Sequence, residues 1–246
     1  YKGTDKGEAR SFLGMSIERD RAARTITLGL ESFTTRLVER FGMAGAPAKS
    51  VPLAAGTVLT KDGTPLETNL HHHSALVGSL NYLACYTRPD LSQAVWALSR
   101  FQSMPTTDHW AAALGVVSCL KGTAHLKLHL GGGSTKLLGY SDADWAGDVD
   151  SRLSTTGWVF LLGGAVISWS SKRQELVATS TAESEFTSLP RRRLCDEGLS
   201  VVSIGRILHC CLPVRHAITA ACLAAGGACR SATYAGGLRF VCAVLA

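Results

Sequence analysis

Three carboxylates stand where a run of strands gives way to a helix. Asp142 closes the segment KLLGYSD (136–142), Asp144 follows two residues later, and Glu185 comes just after Ser180-Thr181-Ala182-Glu183. The first segment reads as a strand, and Ser180-x-x-Glu183 is a capping box that opens a helix. Acids from a strand end and a first helical turn can meet at one sheet edge. Mg²⁺ prefers such hard oxygen donors to nitrogen or sulfur, and a pair of ions held there would orient a water and stabilise the leaving oxygen in phosphodiester cleavage. Glu183 is expected to turn back on the Ser180 backbone amide, which leaves Glu185 as the better ligand candidate. The competing reading is plain: Asp-Ala-Asp after a strand is more often a solvated turn than a metal site. A calcium loop counted from Asp142 fails, because Ala146 stands at the fifth position and Leu153 at the twelfth, where a bidentate Glu is required.

The elements that must position these acids follow from local pattern. Residues 11–19 (SFLGMSIER) and 25–30 (TITLGL) flank the polar segment 20–24, which predicts a two-stranded ribbon. Phe33, Leu37 and Phe41 recur at helical spacing, with Ser32 as N-cap and Gly42 as stop. Residues 43–70 mix Pro, Gly, Ala and Thr without period and read as a long connection. His71-His72-His73 cannot converge on one ion from a helix, since successive side chains point about 100° apart, so a polar helix start is expected there. Three helices then follow: one from Ser74 carrying Leu76, Leu80, Leu83 and Ala84; one opened by Pro89 with Val95, Leu98 and Phe101; and one from Thr107 to Leu120, stopped by Gly122. AHLKLHL (124–130) alternates like a strand and precedes Gly131-Gly132-Gly133. KLLGYSD, TGWVFLL and AVISWSS predict three antiparallel strands, the last two joined by a tight Gly163-Gly164 hairpin. Trp145, Trp158 and Trp169 are expected to pack that sheet against its helix, and Arg88 and Asp90 to cap helix ends.

Composition bounds the function classes. The 246 residues are 46% hydrophobic, enough for a globular core, and no uncharged apolar run reaches 18 residues. Charges fill the first 20 residues, so neither a membrane span nor a secretion signal is expected, and the chain is placed inside the cell. The formal net charge of +6 is uneven: residues 191–246 hold seven Arg, two acids and no Lys, together with six of the eight cysteines. In a reducing compartment those cysteines are poor candidates for disulfides, and their spacing repeats no zinc pattern. Lys121, Lys127 and Lys136 with Trp110 offer a modest basic and aromatic surface, although scattered surface charge is the better explanation of them.

The string YSDADWAGDVDSRLSTTGWVFLLGGAVISWSSKRQELVATSTAESEF (140–186) resembles the opening of the RNase H domain of copia-type retrotransposon Pol polyproteins. Upstream, FLGMSIERD, LVERFGM, VGSLNYLACYTRPDLSQAVWALSRF, HW and LKGT occur in the order found between the polymerase and RNase H parts of that family. The resemblance implies an α+β architecture: a β-ribbon and helical connection region, then a partial RNase H-like sheet of three antiparallel strands plus a helix, then an irregular tail. The implied segments are the end of the reverse transcriptase (1–48), the connection (49–135), the partial RNase H-like domain (136–190) and a non-family tail (191–246). The resemblance places two of four family acids on Asp142 and Glu185 as catalytic metal ligands for Mg²⁺, with an RNA–DNA hybrid as the ancestral substrate. The third acid, in an Asp-Asn-Gln strand, and the fourth, near a His-x-x-Asp motif, have no counterpart in this chain, nor does the Tyr-x-Asp-Asp signature of the polymerase. An inactive fragment is therefore expected, with a non-catalytic nucleic-acid-binding or inert remnant as the alternative. The tail composition suggests a shifted reading frame or a mis-joined exon. A half sheet would leave an unpaired edge and an uncovered apolar face after Gly131, and hence marginal stability there.

Overall fold

The computed structural model describes residues 7–67, 72–132, 136–185 and 187, and the strand backbones 231–233 and 239–241. The chain opens on β1 (Ser11–Phe12), β2 (Met15–Asp20) and β3 (Thr25–Gly29). The predicted first strand is thus two strands. Leu13 and Gly14 both take positive φ (48° and 79°), the geometry of a two-residue hairpin turn, and Phe12 pairs with Met15 across it. The loop between β2 and β3 closes as expected, with Asp20 Oδ1 accepting from the amides of Ala22 (2.8 Å) and Ala23 (2.9 Å).

The ribbon is also wider than its sequence suggests. β4 (Leu128–Gly131) pairs antiparallel with β3, Leu28 opposite Leu128, so the sheet has the order β1-β2-β3-β4. Its buried residues follow strand alternation: Met15 and Ile17 on β2, Ile26 and Leu28 on β3, Leu128 on β4.

α1 (Glu31–Arg40) starts one residue before the predicted cap: Leu30 is the N-cap, no side chain caps the helix, and Ser32 lies inside it. Gly42 ends it as predicted, at φ +68°, with the Met43 amide reaching back to Val38 O at 2.9 Å. α2 (His73–Tyr86), α3 (Ser92–Ser99) and α4 (Thr107–Gly122) match the three expected helices, and Pro89 opens a 3-10 turn (Pro89–Leu91) ahead of α3. Leu76, Val77, Leu80, Leu83, Leu91, Leu98, Val116 and Leu120 are fully buried in one core that also takes in Met15, Leu30, Leu37 and Val38. Residues from both the 1–48 and 49–135 segments therefore share it. Each such Leu contributes about 1.5–3 kcal/mol of burial. Among the described residues no helix is long and apolar enough to cross a membrane.

The polar helix start at 71–73 needs correcting at one residue. His72 is the exposed N-cap, but His73 is buried with both ring nitrogens unpartnered, and burial, then the neighbouring His109, push its pKa down. His71 lies outside the described residues. His109 is the cap partner that pattern missed: its Nδ1 accepts from the Thr106 amide (2.9 Å) at the start of α4, and its ring stacks on Phe101 at 3.9 Å. Arg88 does cap a helix end. Buried and paired with Asp90 (2.7 Å), it donates to the Thr123 carbonyl at 3.0 Å, just past α4.

The second sheet is β5 (Leu137–Ala143), β6 (Thr155–Leu162) and β7 (Ala165–Arg173), in the order β5-β6-β7 and antiparallel throughout. Gly163 and Gly164 form the β6–β7 turn at φ +63° and +85°. The expected uncovered face is absent where it matters most. Trp158, Phe160 and Trp169 close on Ile17, Ile26, Leu28 and Leu128, so the two sheets share a core, and β7 packs on β4 and α3. The β5 edge has no partner strand among the described residues. Trp145 also departs from expectation: it is 50% exposed in the loop after β5, its indole N–H donating to Ala178 O at 3.1 Å.

Most of the tail at 191–246 lies outside the described residues. Within it one short hairpin, β8 (Ser231–Thr233) with β9 (Arg239–Val241), is an element the irregular reading did not include.

Candidate functional site

The candidate site lies at the end of β5. Asp142 sits exposed on that strand, directly opposite Gly157 of β6, and a Cβ added at Gly157 would meet nothing within 4 Å. The space beside the Asp142 backbone is open. A carboxylate placed so can keep its oxygens for water or a cation.

Asp144 is differently used. Its Oδ1 accepts from the Thr155 backbone amide, and its Oδ2 lies over Gly147, where any Cβ would collide with it. It is a loop fastener, holding the long β5–β6 connection closed, and glycine at 147 is what makes room for it.

Asp148, which sequence pattern did not single out, is the buried acid of that connection. Its Oδ1 is 2.6 Å from Arg100 Nη2 and its Oδ2 2.8 Å from Arg173 Nη1; Ser151 Oγ donates to Oδ2 at 2.5 Å. Burial pushes the carboxyl pKa up, but the hydrogen bonds from Ser151 and Arg173 and the Arg100 charge outweigh it and hold it below the usual carboxylate range. With every oxygen engaged, Asp148 is a structural hub. In the sequence it is one of three acids in DWAGDVD, and nothing local marks it as the buried one.

The helix that follows is helical over 181–185. Its capping box forms in part: the Glu183 amide donates to Ser180 Oγ at 3.2 Å, while the Glu183 carboxylate passes the Ser180 amide and takes the amide (2.6 Å) and hydroxyl (2.7 Å) of Thr179. Those two bonds lower the Glu183 pKa. Glu183 is thereby committed to the helix start. Glu185 is half-buried two residues further on; Phe186 lies outside the described residues.

One side chain ties helix to sheet. Gln174, buried just after β7, donates from Nε2 to Thr156 Oγ1 (2.9 Å) and to Ser184 O (2.9 Å). Thr156 pairs with Ala143, the neighbour of Asp142, and Ser184 is the neighbour of Glu185. The strand end that carries Asp142 and the helix that carries Glu185 thus meet at one end of the sheet. Among the described residues no group of three or more His, Cys, Asp or Glu is gathered to hold a metal ion.

The basic surface expected around the helices is largely spent internally. Lys121 Nζ donates to Ala46 O at 2.7 Å, Lys127 pairs with Glu18 at 2.5 Å, and Trp110 packs edge-on against Phe41 at 6.0 Å.

Against known proteins, no family model matches the chain, and no solved structure matches it significantly. Curated sequences do. The Retrovirus-related Pol polyprotein from transposon TNT 1-94 of Nicotiana tabacum is 42% identical over 188 residues, 74% of this chain and 14% of the relative. The corresponding polyprotein from transposon RE2 of Arabidopsis thaliana is 43% identical over 180 residues, 72% of this chain and 12% of its own length. A shorter relative, Secreted RxLR effector protein 161 of Plasmopara viticola, is 49% identical over 114 residues, 46% of this chain and 80% of that protein. The chain therefore spans a small part of each polyprotein that it matches. With the motifs between residues 11 and 186 and these identities taken together, the chain belongs to the copia-type retrotransposon Pol polyproteins.

Proposed function

We propose that the chain is the stretch of a Pol polyprotein in which the end of the reverse transcriptase passes into an RNase H-like domain, and that Asp142 and Glu185 are two of that domain's metal ligands. The observation that carries this reading is the Gln174 bridge, which joins the helix bearing Glu185 to the strand pair bearing Asp142. The element order, three antiparallel strands followed by a helix, is the one expected for the start of that domain.

The donor chemistry suits Mg²⁺. Two carboxylates, one of them in open space, match an ion that keeps most of its waters and takes its remaining ligands from substrate phosphate. Once bound, the ion would supply charge stabilisation for phosphodiester hydrolysis. Asp142 would hold it from the strand and Glu185 from the helix, while Asp144, Asp148 and Glu183 keep to their structural bonds.

Two acids are half of the family's set, and a broken ligand constellation forfeits the reaction. The purified chain, incubated with a labelled RNA–DNA hybrid and Mg²⁺, is expected to give no cleavage above background. Specific cutting that Asp142→Asn abolishes would overturn the inactive reading. Nucleic-acid binding without catalysis has less support, because Lys121 and Lys127 are engaged within the protein.

A further inference from the structure

We infer that Gln174 is a positioning residue that sets the Glu185 helix against the Asp142 strand; the inference rests on the reading of those two acids as ligands. Gln174 is 7% exposed, and its own amide is fixed by Ser154 O at 2.7 Å, so its side chain leaves the end of β7 from a held backbone. A primary amide nitrogen carries two hydrogens. Here one goes to Thr156 Oγ1 and the other to Ser184 O, each at 2.9 Å.

Ser184 adjoins Glu185 in the chain, and Thr156 is the cross-strand partner of Ala143, the residue after Asp142. Thr156 also lies beside Gly157, which faces Asp142. Ser184 is fully buried and its hydroxyl turns inward to Thr181 O at 2.8 Å, so the helix backbone before Glu185 has little freedom once its carbonyl is held. A carboxylate at 174 could accept from the Thr156 hydroxyl but could not donate to the Ser184 carbonyl. An apolar residue of the same length could do neither. The amide is therefore matched to the gap by chemistry as well as by size, and it acts on the acids through the elements that carry them. Partners that hydrogen-bond a metal ligand directly typically cost about 10–100-fold in metal affinity when replaced; Gln174 acts through the neighbouring backbone, which puts its effect at the low end of that range.

The test uses the full chain with Mn²⁺ as the probe ion, titrated by electron paramagnetic resonance, alongside amide hydrogen exchange. Gln174→Met is expected to weaken Mn²⁺ binding about tenfold or more and to strip exchange protection from 181–185 while β5, β6 and β7 stay protected. Gln174→Glu is expected to fail in the same way, because the Ser184 carbonyl still lacks a donor. If the parent chain binds Mn²⁺ in an Asp142-dependent manner and Gln174→Met binds equally well, the positioning role is wrong while the ligand reading stands. If Asp142→Asn leaves Mn²⁺ binding unchanged in the parent, the ligand reading falls and the inference falls with it. Should Gln174→Met lose protection across the whole sheet, Thr156→Val carries the test. It removes one acceptor from an intact strand; several-fold weaker binding with the strands protected is expected, and unchanged binding overturns the inference.

Discussion

Asp148→Asn is expected to lower the free energy of unfolding by about 3 kcal/mol, the cost of opening a buried ion pair from one side. The Asp148 side chain is 1% exposed, and its charge is shared by Arg100 at the end of α3, Arg173 at the end of β7 and the Ser151 hydroxyl. An amide at 148 would present at least one N–H toward a guanidinium and leave its positive charge uncompensated. The arginine side chains, at 17% and 38% exposure, can recruit some water, which puts the loss at the low end of the range for buried pairs. Asp150→Asn is the control. That carboxylate is 3.9 Å from Arg100, and its loss is expected to cost under about 1 kcal/mol. The Asp148 contribution also carries a pH signature. Because its folded pKa lies below the ordinary value of 3.8, the stabilisation is complete above that value and disappears as pH falls through the depressed one. Urea unfolding followed by near-ultraviolet dichroism at neutral and acidic pH measures both effects; equal midpoints for Asp148→Asn and the parent at neutral pH would contradict them.

The second large effect concerns the joint between the second sheet and the helices. Trp169→Ala is expected to cost about 3–5 kcal/mol, the usual range for truncating a buried Trp. Trp169 packs in the shared core of the two sheets, and its indole N–H donates at 2.8 Å to Ala84 O, a carbonyl in the last turn of α2. Trp169→Phe separates the two contributions. It keeps most of the packing and orphans the carbonyl, so about 1–3 kcal/mol of loss is expected. If Trp169→Ala unfolds at the parent midpoint, neither this contact nor the packing around it holds the sheet to the helices.

What could be read from the residues alone was whatever repeats locally. The periodicity at Leu76, Leu80 and Leu83, the stop at Gly42 and the Gly163-Gly164 turn each encode their element within a few positions, and the structure has all three. What escaped was set by partners far away in the chain. β4 belongs with β3 because Leu128 and Leu28 share a face, a pairing one hundred residues long that no window detects. The turn at Leu13-Gly14 needs positive φ at a leucine, which its side chain does not advertise. Asp148 and Gln174 look like any polar residue of a surface loop until Arg100, Arg173, Thr156 and Ser184 arrive from other elements to bury and satisfy them. The elements carrying Asp142 and Glu185 are legible because a strand end and a capping box mark them, while the groups that hold those elements in place are not.

Asp142 and Glu185, as metal ligands, would share one ion. Nuclear magnetic resonance of the isotope-labelled chain during substoichiometric Mn²⁺ addition measures this directly, since amide signals fade with proximity to the bound ion. The amides of Ala143, Gly157 and Ser184 are expected to broaden first and together, and the effect is expected to vanish in both Asp142→Asn and Glu185→Gln. Broadening that begins elsewhere, or that survives either substitution, would show that the two acids do not hold a common ion.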